Sequence, residues 1–184
     1  MKAILVELAA CVAAFGAEYT LPLTPAATKI EWTLSDPLHT VKGTFKLKRG
    51  TIRFDPETGK AGGEVVVDVA SGESGSGARD SRMQANVLES GKYPEAVFTP
   101  DRIEGKLGLT GESQVRVHGV FRIHGADHEM TMNAAVKGVG DRMDLRITFE
   151  VPYVAWGMKD PSNFLLKVGK TVGMSIEAGG VVSH

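Results

Sequence analysis

From Thr28 onward, apolar residues recur at every second position in one run after another. Ile30, Trp32 and Leu34 alternate with Lys29, Glu31 and Thr33. Val41, Gly43, Phe45 and Leu47 alternate with Lys42, Thr44, Lys46 and Lys48. Val65, Val67 and Val69 alternate with Glu64, Val66 and Asp68. Val115, Val117, Gly119, Phe121 and Ile123 alternate with Gln114, Arg116, His118, Val120 and Arg122. The same rhythm places Met130, Met132, Ala134 and Val136 on one face. It does so again for Met143, Leu145, Ile147, Phe149 and Val151, and for Val172, Met174, Ile176 and Ala178. Successive side chains on a strand point to opposite faces, so each run predicts a strand with one apolar and one wet face. One-sided strands of this kind belong to antiparallel sheets. Turn sequences separate them: Lys48-Arg49-Gly50, Asp55-Pro56-Glu57-Thr58-Gly59, His124-Gly125-Ala126-Asp127 and Gly138-Val139-Gly140-Asp141.

One segment breaks the rhythm. Ser76 to Ser90 carries helix formers, with Met83, Val87 and Leu88 on one side. Ser76 is placed to cap its start and Gly91 to stop it. A second helical turn is expected near Ser162–Lys167, after Pro161. The pattern therefore gives about eight or nine strands and one clear helix, an all-β fold. Such strands must bury their apolar faces against a second sheet or by closing on themselves. A closed barrel of about eight strands is either filled by its own side chains or holds one small ligand. On pattern alone the filled and the hollow forms stand level.

Composition narrows the partners. The chain has 184 residues, with 21 Lys plus Arg against 22 Asp plus Glu, a formal net charge of -1. Nucleic acid is a poor partner for such a balance, because phosphate binding needs a basic excess or face. The 22 glycines fall mainly in turns, but Gly43 and Gly119 sit inside strands, where they permit a sharp bend or bulge.

Residues 1–17 read as a short export signal: Lys2, an apolar stretch containing Glu7, then small residues, with cleavage after Ala14, Gly16 or Ala17. The stretch is too short to span a bilayer, which takes about 20 apolar residues. Residues 18–184 then form a single domain. Leu8-Ala9-Ala10-Cys11 resembles a lipoprotein box, a less favoured reading because only ten residues precede the cysteine. Cys11 is the sole cysteine, so no intrachain disulfide forms.

Few motifs carry chemistry. Gly169-Lys170-Thr171 fails as a phosphate loop, because Phe164 stands where glycine is required and a strand follows. The stretch from Ser71 to Gly77 lacks the second glycine of a nucleophile elbow. His124, Asp127 and His128 bracket one turn and are the only candidates for a metal. Arg79-Asp80 reads as a structural ion pair or cap.

At this point a family resemblance emerges. Val41-Lys42-Gly43-Thr44-Phe45 followed by Gly50-Thr51-Ile52-Arg53-Phe54-Asp55-Pro56 resembles the second and third strands of the YceI-like family. Val65–Ser71 leading through a Ser-rich loop to Arg79-Asp80 is similar to its next segment. Lys92-Tyr93-Pro94 with Val97-Phe98 matches its Lys-Tyr-Pro-x-x-x-Phe. Val115–His128 resembles its hairpin and Val168–Ile176 its closing strand. Two departures stand out. The family's opening Asp-x-x-His-Ser is here Thr24-Pro25-Ala26-Ala27-Thr28. The family's Arg before a Phe-Gly pair is absent from Tyr153-Val154-Ala155-Trp156-Gly157.

The resemblance implies an exported, lipocalin-like antiparallel barrel, periplasmic or secreted. It also implies non-catalytic binding of a polyisoprenoid, or of an isoprenoid quinone or phosphate, for transport or storage. No further cofactor is expected. The expected wall is Trp32, Leu34, Phe45, Leu47, Phe54, Val67, Phe98, Val117, Phe121, Met132, Leu145, Ile147, Phe149, Met174 and Ile176. The alternatives are a metal-assisted hydrolase using His124, Asp127 and His128, and a filled barrel that binds a partner on its surface. The oligomeric state stays open, a homodimer included.

Overall fold

The structure, a computed structural model, describes residues 17–35, 39–163 and 167–184. The export signal and Cys11 lie outside the described residues, apart from Ala17. The strands in chain order are β1 (Tyr19–Leu23), β2 (Thr28–Ser35), β3 (Thr40–Phe54), β4 (Ala61–Glu73), β5 (Glu95–Glu104), β6 (Gly111–Ile123), β7 (Ala126–Val139), β8 (Arg142–Val151) and β9 (Val172–Val181). A helix α1 (Gly77–Arg82) and a π-helical turn (Met83–Val87) connect β4 to β5.

Neighbouring strands all run antiparallel. The order β3-β2-β9-β8-β7-β6-β5-β4 returns to β3, so eight strands close a barrel. The ninth, β1, pairs with the second half of β3, from Tyr19↔Phe54 to Leu23↔Gly50. The long β3 makes this geometry. Its fifteen residues reach roughly 50 Å, enough for β2 on its first half and β1 on its second. Register shifts at Thr44/Lys46 and Leu47/Arg49 bend it round the barrel.

Inward positions match the alternation along the sequence. Val66 is the exception: it was expected on the wet face and is fully buried. Its cross-strand neighbours are Arg49 and Val97. A long basic stem lying along a strand can shield such an apolar residue. Two glycines serve as expected, for a visible reason. A side chain at Gly43 would collide with the Trp32 indole and the Glu73 carbonyl. One at Gly119 would meet Thr99, Phe98 and Pro100, beside the irregularity that lets a proline into β5.

The helix is shorter than the sequence suggests. Ser76 occupies the cap position but its hydroxyl makes no cap bond. After Arg82 the chain widens into a π turn, with Leu88 N–H donating to Met83 O and Ser90 N–H to Gln84 O. Glu89, at φ 46°, turns the chain out of the helix before Gly91 is reached. The Arg79–Asp80 pair also differs: Ser74 stands between them, accepting from Arg79 Nε at 2.7 Å and donating to Asp80. The turn expected around Ser162–Lys167 lies partly outside the described residues. Ser162, Asn163 and Lys167 themselves are not helical.

The β6–β7 hairpin is tighter than predicted. Only His124 and Gly125 form its turn, both with positive φ (52° and 79°), and Ala126 and Asp127 already belong to β7. That twist suits a two-residue hairpin. It also leaves His124 outside both strands.

Candidate ligand cavity

The apolar faces enclose a cavity of about 1180 Å³. Ordinary small-molecule pockets run roughly 300–1,000 Å³. The filled-barrel alternative therefore gives way: the inward side chains line a space rather than occupy it. The hollow follows from the wall residues. Branched aliphatic and Met side chains such as Val117, Met132, Leu145 and Ile147 face it from opposite strands.

Of the fifteen expected wall residues, all but Leu47 line the cavity. Leu47 is buried in the apolar core instead. It pairs with the cavity-lining Val67 and packs in one cluster with Leu21, Leu23, Ile30 and Phe54. The wall also includes other apolar positions of the alternation, such as Ile30, Val65, Val69, Val115 and Met143.

The two ends of the cavity differ in kind. At one end the lining is Leu21, Leu23, Phe54, Leu107 and Met143, all buried. This is where β1 lies across the barrel. The other end gathers the β2–β3 connection, the loop and helix after β4, and the segment after β8. There the lining turns polar: Thr40, Ser74, Ser76, Asn86 and Ser162. Among the described residues, the charged groups that line the cavity are Lys42, Arg79, Arg82, Lys159 and Asp160, with His39 beside them, and all lie at this end.

Several interactions fix this rim. Gln84 donates from Nε2 to the Val69 and Gly72 carbonyls, at 3.0 and 3.2 Å, and so ties the π turn to β4. The Tyr153 hydroxyl donates to Gly169 O at 2.8 Å and joins both flanks of the β8–β9 connection. Burial, with the Asp160 carboxylate second, pushes the Tyr153 phenol up to about 12. Ser162, through hydroxyl and backbone N–H, holds Asp160 below the usual carboxylate range. Trp156 stacks on His128, centroids 3.9 Å apart, and packs near Phe121.

The structure does not assemble the three candidate metal ligands. His124 Nε2 is 2.6 Å from Glu89 Oε2, Asp127 accepts from Arg122 Nε at 2.6 Å, and His128 faces Trp156. Among the described residues, no group of three or more His, Cys, Asp or Glu could hold a metal. His118, on the outer face, sits 2.7 Å from Asp101.

The YceI-like domain family matches residues 21–179 of the chain. This chain is a YceI-like protein. No curated protein sequence matches it significantly. Solved structures with the same fold include BcnA of Burkholderia cenocepacia, at a TM-score of 0.71 and 17% identity, covering 88% of this chain and 99% of that one. A polyisoprenoid-binding domain from Saccharophagus degradans, implicated in plant cell wall breakdown, matches at 0.69 and 16% identity over 90% and 98%. The YceI protein of Campylobacter jejuni matches at 0.65 and 19% identity over 82% and 90%. The barrel fold is thus common ground between the pattern of the chain and its relatives. Among the described residues, no helix of this YceI-like chain is long and apolar enough to cross a membrane.

Proposed function

We propose that this YceI-like protein binds a long apolar lipid, a polyisoprenoid or a derivative of one, inside the barrel. It does so without catalysis, as a carrier or store. The observation that carries this reading is the apolar cavity of about 1180 Å³, lined by buried apolar side chains at one end and by polar groups at the other. A molecule with a long tail and a compact head has that same polarity. Burying the tail contributes about 25 cal/mol per Å² of apolar area, against which the costs of association count heavily. The methionines on the wall, Met132, Met143 and Met174, let it adapt to chains of different length. The first 17 residues read as an export signal, which supports a carrier that works in the periplasm or outside the cell.

Organic extraction of the purified protein, followed by mass spectrometry, tests the reading. A co-purifying isoprenoid, or saturable uptake of an added one, is expected. A protein that is repeatedly empty and takes up no added isoprenoid overturns it.

A further inference from the structure

The connections between strands carry charge unevenly. In an antiparallel barrel, alternate connections fall at opposite ends. Residues 74–94, 124–125 and 152–171 join strands at the polar end, and residues 55–60, 105–110 and 140–141 join them at the far end. Among the described residues, the polar-end connections hold the cations Arg79, Arg82, Lys92, Lys159, Lys167 and Lys170 against the anions Asp80, Glu89 and Asp160. The far-end connections hold Lys60 and Lys106 against Asp55, Glu57 and Asp141. All the polar-end cations are exposed. The chain as a whole is nearly neutral, at -1. Its charge is therefore divided along the barrel axis.

Pairing sharpens the division. Seven of the nine arginines sit against a carboxylate. Arg79 and Arg82 make no ion pair among the described residues, and neither do Lys159 and Lys167. The carboxylates of the same end are taken up within it. Asp80 accepts from the Ser74 hydroxyl, and Glu89 Oε2 lies 2.6 Å from His124 Nε2. Asp160 accepts from Ser162 N–H at 2.9 Å and lies 3.8 Å from Lys170 Nζ. Exposed cations are left over on this face. Beside them the β8–β9 connection carries the apolar run Val154-Ala155-Trp156, with Ala155 exposed and Trp156 half-buried. Basic groups next to a tryptophan are the mixture that settles at a bilayer interface.

We infer that this end of the barrel docks on an anionic membrane surface, with the cavity turned toward the lipid. Cations spread over two separate connections match an extended sheet of negative charge, and the apolar run matches the layer beneath it. Each Lys or Arg held near such a surface strengthens binding roughly fivefold, and salt weakens it. The inference goes beyond the lipid-binding reading. The contact is with the bilayer and not with a cargo, so it holds whether or not the barrel carries an isoprenoid.

The test titrates the purified full chain with vesicles of phosphatidylcholine alone and of phosphatidylcholine mixed with phosphatidylglycerol, both free of isoprenoid. Sedimentation reads binding, and tryptophan emission reads orientation: Trp32 is buried in the barrel wall, which leaves Trp156 as the reporter. At low salt the anionic vesicles are expected to bind about tenfold or more tightly than the neutral ones, with the gap closing as salt rises. Emission is expected to shift to the blue on the anionic vesicles, and the shift to be missing from Trp156→Phe. A combined Arg82→Gln, Lys159→Gln, Lys167→Gln variant, with an unchanged circular dichroism spectrum, is expected to lose about tenfold or more of the binding. Lys60→Gln with Lys106→Gln, at the far end, is expected to keep it. No binding to either vesicle, equal binding to both, or an equal loss in the far-end variant overturns the inference. Sedimentation with the anionic vesicles without any change in Trp156 emission also overturns it, since another face would then be in contact. Binding to soluble heparin with none to the vesicles overturns it too and gives the face to a soluble polyanion.

Discussion

The indole of Trp32 lies over Gly43, its cross-strand partner, and fills the space where any other residue would place a side chain. The pair sits on the cavity wall one inward step below the rim, since the next inward pair is Leu34 and Val41. Its neighbour on the other side is Met174 of β9. Gly43 is thus required by close approach; its φ is not among the positive ones.

Gly43→Ala is expected to destabilise the protein by about 1–3 kcal/mol, the usual cost of forcing a group into a packed site. Chemical denaturation measures it. Trp32→Leu in the same chain should recover part of the loss, because it vacates the space that the new methyl group needs. No recovery in the double variant would mean that the Glu73 carbonyl, not the indole, is the obstacle.

Val117→Trp puts a bulky ring into the middle of the hollow, from a position on β6 paired with Met132. The cavity has room for it, so the fold should persist with an unchanged circular dichroism spectrum. Uptake of a long isoprenoid should fall by about tenfold or more, as apolar area for the tail is lost. Lipid titration of parent and variant decides the point.

Gln84→Ala removes the donor that ties the π turn to the carbonyls of β4. A loss of about 1 kcal/mol is expected, the ordinary net worth of such bonds. The sharper expectation is local: hydrogen exchange should quicken in residues 77–88 with little change in β6 and β7. Equal acceleration across the barrel would assign Gln84 to global stability instead.

The Tyr153 phenol gives a pH signature. Its folded value is pushed up to about 12 from an ordinary 10.0. A raised value means that the folded chain keeps its proton when the unfolded chain has lost it. The resulting stability is fully present below about pH 10 and is lost as pH rises through about 12. Denaturation midpoints across that window should decline in the parent and decline less in Tyr153→Phe. Ultraviolet difference spectra should show a late-ionising tyrosine that is missing from the variant.

The barrel was legible in the chain because a strand's period of two leaves a direct trace in sequence. Alternation alone puts Trp32, Phe121, Met132 and Ile147 on the apolar face. Leu47 follows the same alternation into the buried core, but it does not itself line the cavity. The rim was not legible for a different reason. Lys42 is an outward position of its strand by alternation, and Arg79 and Arg82 are exposed helix residues. Nothing local says that they meet Lys159 at one end of the cavity, since that depends on how three separate connections converge. The His124–Asp127–His128 cluster shows the reverse error. Closeness in sequence suggested a shared site, whereas each side chain turns to a partner of its own.

One asymmetry bears on the proposed lipid binding. The apolar end is lined by Leu21, Leu23, Phe54 and Leu107, all buried, and the polar groups gather at the other. On the proposed reading a lipid goes in tail first and comes out head first, by the way it entered. A donor and an acceptor would then take turns at the same face, and whatever sits on that face would control loading and unloading alike.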